Sequence, residues 1–149
     1  MRFMTNLEWR INNSSVIHNQ LDAATTQLER AIKLFLDDAD YYSAGTLGGA
    51  SEEILGKTLK SRGNKHALDS LMSAITEIQT VADVPTIKEN KLSTQLNEVR
   101  DWLKHYKGKN LEFDAKEAAA ELIDRAISNY YQLTGQKTAE MIRFTGSGE

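Results

Sequence analysis

The stretch Asp40–Gly63, DYYSAGTLGGASEEILGKTLKSRG, decides the fold expected for this chain. Asp40 is a favoured N-cap residue, and Gly63 suits the left-handed position that ends many helices. Apolar residues recur between them at helical spacing: Leu47, Ala50, Ile54, Leu55 and Leu59. The pattern predicts a helix over roughly Tyr41–Ser61 with one buried face.

Three glycines lie in the first half of this segment, at Gly45, Gly48 and Gly49. Each glycine costs about 1 kcal/mol in a helix interior relative to alanine. Three within five positions therefore predict that a neighbouring backbone comes very close to this helix.

Similar apolar stripes extend on both sides of the segment. They predict further helices over roughly Val16–Asp37, Lys65–Ala82, Thr86–Tyr106 and Ala115–Leu133, with a last short one over Gln136–Phe144. The expected start signals are Asn12–Ser15, Asn64, the capping-box pattern Thr86–Glu89 and Asp114, and Gly135 is the expected stop of the fifth helix.

Short connections, a single proline and no internal repeat favour one domain over residues 1–149. We expect an all-α, up-and-down bundle of four to five antiparallel helices, with its core over about residues 16–134. A polar N-terminal arm precedes the core and a short tail follows it. The arm's scattered apolar anchors are Phe3, Leu7, Trp9 and Ile11.

Composition excludes some classes of function. The chain has no cysteine, so it forms no disulfide and has no thiolate chemistry. No stretch approaches about 18 consecutive apolar residues, so we expect no membrane span and a cytoplasmic protein. The net charge of −3 argues mildly against non-specific binding to duplex nucleic acid, which usually needs a large basic face.

One short motif carries possible chemistry, Arg100-Asp101-Trp102-Leu103-Lys104-His105, near the end of the fourth predicted helix. A guanidinium can hold a phosphate, and an imidazole can move protons near neutral pH. On an ideal helix, however, residues five apart point about 140° away from each other. Arg100 and His105 therefore converge only if the helix distorts near Tyr106, or if they meet across a dimer interface.

The motif resembles the hallmark of the HEPN superfamily of small helical domains: an arginine, a polar residue directly after it, and a histidine four to six positions after the arginine. Arg100, Asp101 and His105 match it. Further upstream residues also resemble a group of small bacterial proteins: Ala31–Leu36, Asp40, Ser43-Ala44, Thr46-Leu47 and Glu53–Leu55. Tyr41 and Gly45 stand where that group has proline and histidine. The resemblance covers roughly residues 21–133.

The resemblance implies a metal-independent RNA endonuclease, or an RNA-binding effector of toxin–antitoxin or defence type, that needs no cofactor. His105 would act as general acid or base, Arg100 would stabilise the phosphate, and Asp101 would orient one of them. The implied assembly is a homodimer with two motifs facing one cleft, and an antitoxin is a further possible partner. Lys104, Lys107 and Lys109 flank His105 and would add phosphate affinity.

Two other interpretations stay open at this point. The chain is a non-catalytic interaction module for a partner such as a nucleotidyltransferase, or a structural bundle without a site. In either case Arg100 pairs with an acid such as Glu89, and His105 is an exposed residue at a helix end. Trp102 packs against a partner chain or stacks on a base. The three histidines lack metal-ligand spacing, so no metal site is expected.

Overall fold

A computed structural model describes residues 15–146, and this part of the chain is helical without any strand. Its helices are α1 (Gln20–Asp37), α2 (Tyr41–Ser61), α3 (Ala67–Val81), α4 (Glu89–Leu96), α5 (Glu98–Lys104), α6 (Ala115–Thr134) and α7 (Ala139–Thr145). The all-α class expected from the sequence is confirmed. Within residues 15–146, every helix is too short or too polar to cross a membrane.

Helices α1, α2 and α6 build the main core. Its buried apolar side chains are Ala24, Leu28, Ala31, Ile32, Ala44, Leu55, Ala119, Ile123, Ala126, Ile127 and, from α7, Met141. Helix α2 has the bounds predicted from the sequence, and the Asp40 carboxylate accepts a hydrogen bond from the Ser43 N–H at 3.1 Å. Gly63 follows the helix with φ +77°. Local capping chemistry therefore determines where this central helix begins and ends.

The glycines of α2 are contact points for two other helices. A Cβ added at Gly48 would lie 3.1 Å from Ile123 Cγ1 and 3.5 Å from the Ile123 backbone nitrogen in α6, so the tightest contact there is with a side chain and the backbone lies at an ordinary contact distance. At Gly45 and Gly49 the nearest atoms belong to α5 side chains. A Cβ would lie 2.9 Å from Leu103 Cδ1 and 2.7 Å from Arg100 Cγ, respectively.

A second, smaller core lies between α3 and α4. It consists of the buried side chains of Leu68, Met72 and Leu92, with Ile75, Ile87 and Leu96 packed against them.

The start predicted for the first helix is wrong. Residues 15–19 are not helical, and α1 begins at Gln20, where the Asn19 side chain accepts a hydrogen bond from Leu21 N–H at 2.7 Å. Residues 12–14, the arm anchors and the last three residues of the expected tail lie outside the described residues.

The cap predicted for the third helix is also wrong. His66, not Asn64, is the N-cap residue of α3, and its Nδ1 accepts a hydrogen bond from Asp69 N–H at 3.2 Å. The Ala67 N–H donates to Asn129 Oδ1 at 2.7 Å, across from α6. A tertiary contact therefore helps to set this helix start.

The fourth predicted helix is in fact two. It breaks at Asn97 into α4 and α5, and the capping box at Thr86–Glu89 does not form, since α4 starts without a side-chain cap. The Ile87 N–H instead donates to Gln79 Oε1 at 3.4 Å, which ties this connection to α3. Tyr106 lies beyond α5 and is 96% exposed, so it is not part of an apolar seam.

The last two helices fit the expected signals more closely. The Asp114 side chain caps α6, and Gly135 ends it with φ +70°, as predicted. Helix α7 begins at Ala139, three residues later than expected, where the Thr138 side chain accepts from Met141 N–H.

Candidate functional site

A buried anion fastens α5, the helix that carries the sequence motif, to the core. Glu52 of α2 is 2% exposed. Its Oε2 lies 3.0 Å from Arg100 Nη1 in α5, and its Oε1 lies 3.2 Å from Arg125 Nη2 in α6. One carboxylate is thus shared by two guanidinium groups from different helices. Such sharing satisfies both oxygens of a carboxylate that would otherwise be costly to bury.

Arg125 connects this anion to the break between α4 and α5. Its Nη2 donates to Asn97 Oδ1 at 2.9 Å, and its Nη1 approaches the Leu96 carbonyl oxygen at 3.4 Å. Arg125 is 5% exposed, and its buried Nε has no hydrogen-bond partner within the described part of the chain. The guanidinium therefore binds backbone and side-chain oxygens where the helix is interrupted, which stabilises the break at Asn97.

Asn129 extends the polar contacts to α3. Its Nδ2 donates to the Glu52 carbonyl oxygen at 3.2 Å, while its Oδ1 accepts from Ala67 N–H. The side chain is fully buried. Asn129 therefore links α2, α3 and α6 at one point.

A second ion pair joins α5 to α2 nearer the surface. Lys104 Nζ lies 2.6 Å from Glu53 Oε2, and Lys57 Nζ lies 3.0 Å from Glu53 Oε1. The hydrogen bond from Lys104, followed by that from Lys57, lowers the pKa of Glu53 from its ordinary 4.5 to about 2. Arg100 and Lys104 are four residues apart, so they lie on the same face of α5. The consecutive residues Glu52 and Glu53 of α2 both bind this face.

Three residues of the predicted site are therefore engaged in contacts within the protein. The Arg100 side chain is 13% exposed and pairs with Glu52 rather than with the expected Glu89. Asp101 Oδ1 lies 3.4 Å from Arg100 Nε. Lys104 pairs with Glu53, so it is not a free cation. Arg100 Nη2 has no hydrogen bond to any residue of the 15–146 range.

His105 lies on a different surface, at the point where α5 ends. Its backbone is extended (φ −126°, ψ 144°), its N–H caps the Asp101 carbonyl at 3.0 Å, and its side chain is exposed. It borders a shallow hollow of about 500 Å³ whose other lining residues are Trp102, Tyr106, Lys107, Gly108, Lys109 and Asn110. Arg100 does not line this hollow. A single chain thus leaves the arginine and the histidine of the motif in separate surroundings.

The loop of residues 105–110, which we term the His105 loop, is anchored by Trp102. The indole N–H donates to the Lys109 carbonyl oxygen at 2.9 Å, and the ring packs edge-on against Phe113 with centroids 5.6 Å apart. The side chain of Trp102 is thus engaged in contacts within its own chain. They hold the base of a loop that presents the exposed ring of Tyr106 between His105 and Lys107.

The two lysines predicted for phosphate contact differ in their surroundings. Lys109 Nζ lies 3.8 Å from Glu98 Oε1, a long and largely exposed pair that is weak in water. Lys107 is exposed and pairs with no acid among residues 15–146. Lys107 is therefore the cation of this surface most available to an anionic ligand.

Sequence reasoning missed Glu52, Asn97, Arg125 and Asn129, the polar groups that position α5. One signal was present: Arg125 comes three residues after Leu122 and directly before Ala126, so it lies on the apolar stripe of its helix. A charged residue on a buried stripe indicates a buried partner.

In comparisons with known proteins, no family model, curated protein or solved structure matches the chain. Within residues 15–146, no three His, Asp or Glu side chains are grouped so that they could hold a metal ion.

Proposed function

We propose that this protein is an RNA-acting effector that contacts single-stranded RNA through the His105 loop. The observation that carries the proposal is the almost fully exposed ring of Tyr106, flanked by His105 and Lys107 on a loop fastened by Trp102. Exposed aromatic rings beside cations are the usual means of binding unpaired bases, and each stacked base contributes about 1–3 kcal/mol. This small surface suits a single strand better than a duplex.

His105 supports cleavage as an extension of binding. Its exposed imidazole lies beside the phosphate-binding candidates Lys107 and Lys109, where it can remove a proton from a ribose 2′-hydroxyl or deliver one to the leaving oxygen. Arg100 has one guanidinium nitrogen, Nη2, that is not bonded to the described residues. Nη2 is therefore the nitrogen of Arg100 that would donate a hydrogen bond to a phosphorane-like transition state.

A catalytic site of this kind requires a second copy of the chain. Arg100 contacts Glu52, whereas His105 borders a hollow that Arg100 does not line, so we propose that the arginine of one copy complements the histidine of the other. We therefore propose a homodimer of HEPN-like bundles with four to five antiparallel helices, acting in the cytoplasm as a toxin–antitoxin or defence effector. Light scattering that gives a monomer mass at working concentration would contradict the composite site.

A second candidate function is a non-catalytic interaction module that acts with a partner such as a nucleotidyltransferase. One observation favours it: Arg100 is largely buried and paired with Glu52, so it contributes to packing rather than standing free as a reagent. In this case the motif maintains the fold, and the partner protein carries the activity.

Incubation of purified protein with total RNA, with a chelator present, separates these functions. The comparison includes wild type, His105→Ala and the matched control His18→Ala, because His18 is also exposed but lies before α1. Cleavage lost in His105→Ala and kept in His18→Ala supports the nuclease. Binding without cleavage supports an RNA-binding effector, and neither activity favours the interaction module.

A further inference from the structure

A second hollow lies beside the His105 loop, between α2 and α5, and we term it the α2–α5 hollow. Its volume is about 730 Å³, within the range of about 300–1,000 Å³ that is typical of small-ligand sites. It is lined by Tyr42, Ser43, Thr46 and Leu47 of α2 and by Trp102 and Leu103 of α5. None of these six side chains carries a charge, so the hollow suits a nucleobase better than a phosphate.

Trp102 is a wall that this hollow shares with the hollow beside His105. The indole is held by its hydrogen bond to the Lys109 carbonyl oxygen and by its edge-on contact with Phe113. The two hollows therefore adjoin each other at a fixed side chain. A single strand that is bound at the His105 loop brings a neighbouring nucleotide to the α2–α5 hollow.

The hollow offers a base both apolar contact and an aromatic ring. Leu103 packs closely on α2, since a Cβ added at Gly45 would lie 2.9 Å from Leu103 Cδ1. The Tyr42 side chain at the edge of the hollow is 63% exposed. Every base has a π-face, so a ring of this kind stacks on any base and contributes affinity without sequence preference.

Two hydroxyl groups in the hollow have already used their protons. Thr46 Oγ1 donates to the Tyr42 carbonyl oxygen at 2.9 Å. The Ser43 side chain is hydrogen-bonded to the Asp40 carboxylate, and this bond, followed by the one from Ser43 N–H, lowers the pKa of Asp40. A hydroxyl has one proton and two lone pairs. Ser43 and Thr46 therefore present acceptors to a ligand.

We propose that the α2–α5 hollow binds a base of the RNA strand held at the His105 loop, and that it selects a base with an exocyclic amino group over uracil. The inference rests on the function proposed for that loop and adds the class of base. Ser43 and Thr46 are three residues apart, so their two acceptors are neighbours on one helix face. An amino group has two N–H donors for such a pair.

Uracil lacks this complementarity. It presents a carbonyl oxygen at the position where cytosine presents its amino group. An oxygen that faces two acceptors makes no hydrogen bond and loses its bond to water, which disfavours its burial there. Sites built to bond a particular polar group reject the analogue without it for this reason.

Short oligocytidine and oligouridine of equal length test the selection, because the two bases share one ring and differ in the groups at positions 3 and 4. Fluorescence anisotropy of each labelled strand, titrated with the full-length protein at neutral pH, gives the two dissociation constants. We expect wild type to bind oligocytidine more tightly, by about 2- to 13-fold for each hydrogen bond gained. Equal affinities would overturn the selection.

Thr46→Val locates the selecting group, since it removes the acceptor and preserves the shape of the side chain. It should reduce the preference for oligocytidine by about 2- to 13-fold. Thr58→Val is the matched control, because the Thr58 hydroxyl donates to the Ile54 carbonyl oxygen at 2.8 Å in the same helix but does not line the hollow. It should keep the preference. A preference that survives Thr46→Val, or that falls equally in Thr58→Val, would overturn the inference.

Tyr42→Ala separates the hollow from the loop. It should weaken both oligonucleotides by a similar factor of about 5- to 160-fold, the loss of one stacked base. Unchanged affinity in Tyr42→Ala, together with weakened binding in Tyr106→Ala, would overturn the inference and leave the function proposed for the loop intact. No binding of either oligonucleotide by wild type would overturn that function and the inference with it.

Discussion

The Glu52 carboxylate and the Arg100 guanidinium meet 3.0 Å apart across the contact between α2 and α5, and this pair sets where α5 lies. The same carboxylate also pairs with Arg125, which binds the helix break at Asn97. The attachment of α5 to the core, and with it the position of the His105 loop, thus depends on one buried anion. Arg100, the first residue of the sequence motif, therefore also contributes to the packing of α5 against α2.

Replacing Glu52 should destabilise the protein far more than replacing its neighbour. Glu52→Ala leaves two guanidinium groups without their shared anion, and breaking a buried ion pair costs about 3–5 kcal/mol. Glu53→Ala removes a partly exposed pair, for which about 1 kcal/mol or less is expected. Urea unfolding of both variants measures the difference. Equal losses would mean that the buried carboxylate is not the anchor of α5.

Gly49→Ala should destabilise the wild-type protein but not a protein that lacks the Arg100 side chain. The new Cβ would lie 2.7 Å from Arg100 Cγ, and overpacking of this kind costs about 1–3 kcal/mol. In an Arg100→Ala background the clash is gone, and the higher helix propensity of alanine should stabilise α2 by up to about 1 kcal/mol. A double-mutant cycle followed by urea unfolding tests this reversal of sign, and the same loss in both backgrounds would refute it.

The contribution of Lys104 to stability should depend on pH. Hydrogen bonds from Lys104 and then Lys57 depress the pKa of Glu53 from 4.5 to about 2. A depressed pKa in the folded state gives stability that is complete above the unfolded pKa and is lost as the pH falls through the folded pKa. The stability gap between wild type and Lys104→Ala should therefore be widest above about pH 5 and should narrow toward about pH 2.

The Glu53 carboxyl resonance provides a direct check. In an NMR titration, Lys104→Ala should raise the pKa of Glu53, and Lys109→Ala should not, since Lys109 pairs with Glu98 instead. An unchanged Glu53 titration in Lys104→Ala would contradict the assigned cause.

Sequence patterns predicted the helices whose ends are determined locally. Asp40 caps the start of α2 and Asp114 caps the start of α6, because each carboxylate accepts a hydrogen bond from an N–H three residues later, and Gly135 ends α6 through its own left-handed conformation. These interactions span only a few residues, so they are visible in the sequence.

The features that position the motif depend on contacts between residues that lie far apart in the sequence. The break at Asn97 is bound by Arg125, 28 residues away, and the start of α3 is tied by Asn129, 62 residues after Ala67. The partner of Arg100 is Glu52, 48 residues earlier. Periodicity can place Arg125 on a buried stripe, but neither periodicity nor capping rules identify the partners in such pairs, so a continuous fourth helix and a surface partner for Arg100 were the natural expectations.

The central claim is that the His105 loop binds single-stranded RNA, and its most direct test is the fluorescence anisotropy of a labelled single-stranded RNA titrated with the protein. Tyr106→Ala should weaken binding by about 5- to 160-fold, which corresponds to the loss of one stacked base at about 1–3 kcal/mol. Tyr131→Ala, a half-exposed tyrosine of α6 beside Lys137, should bind like wild type. No binding by wild type, or equal loss in both variants, would contradict the claim.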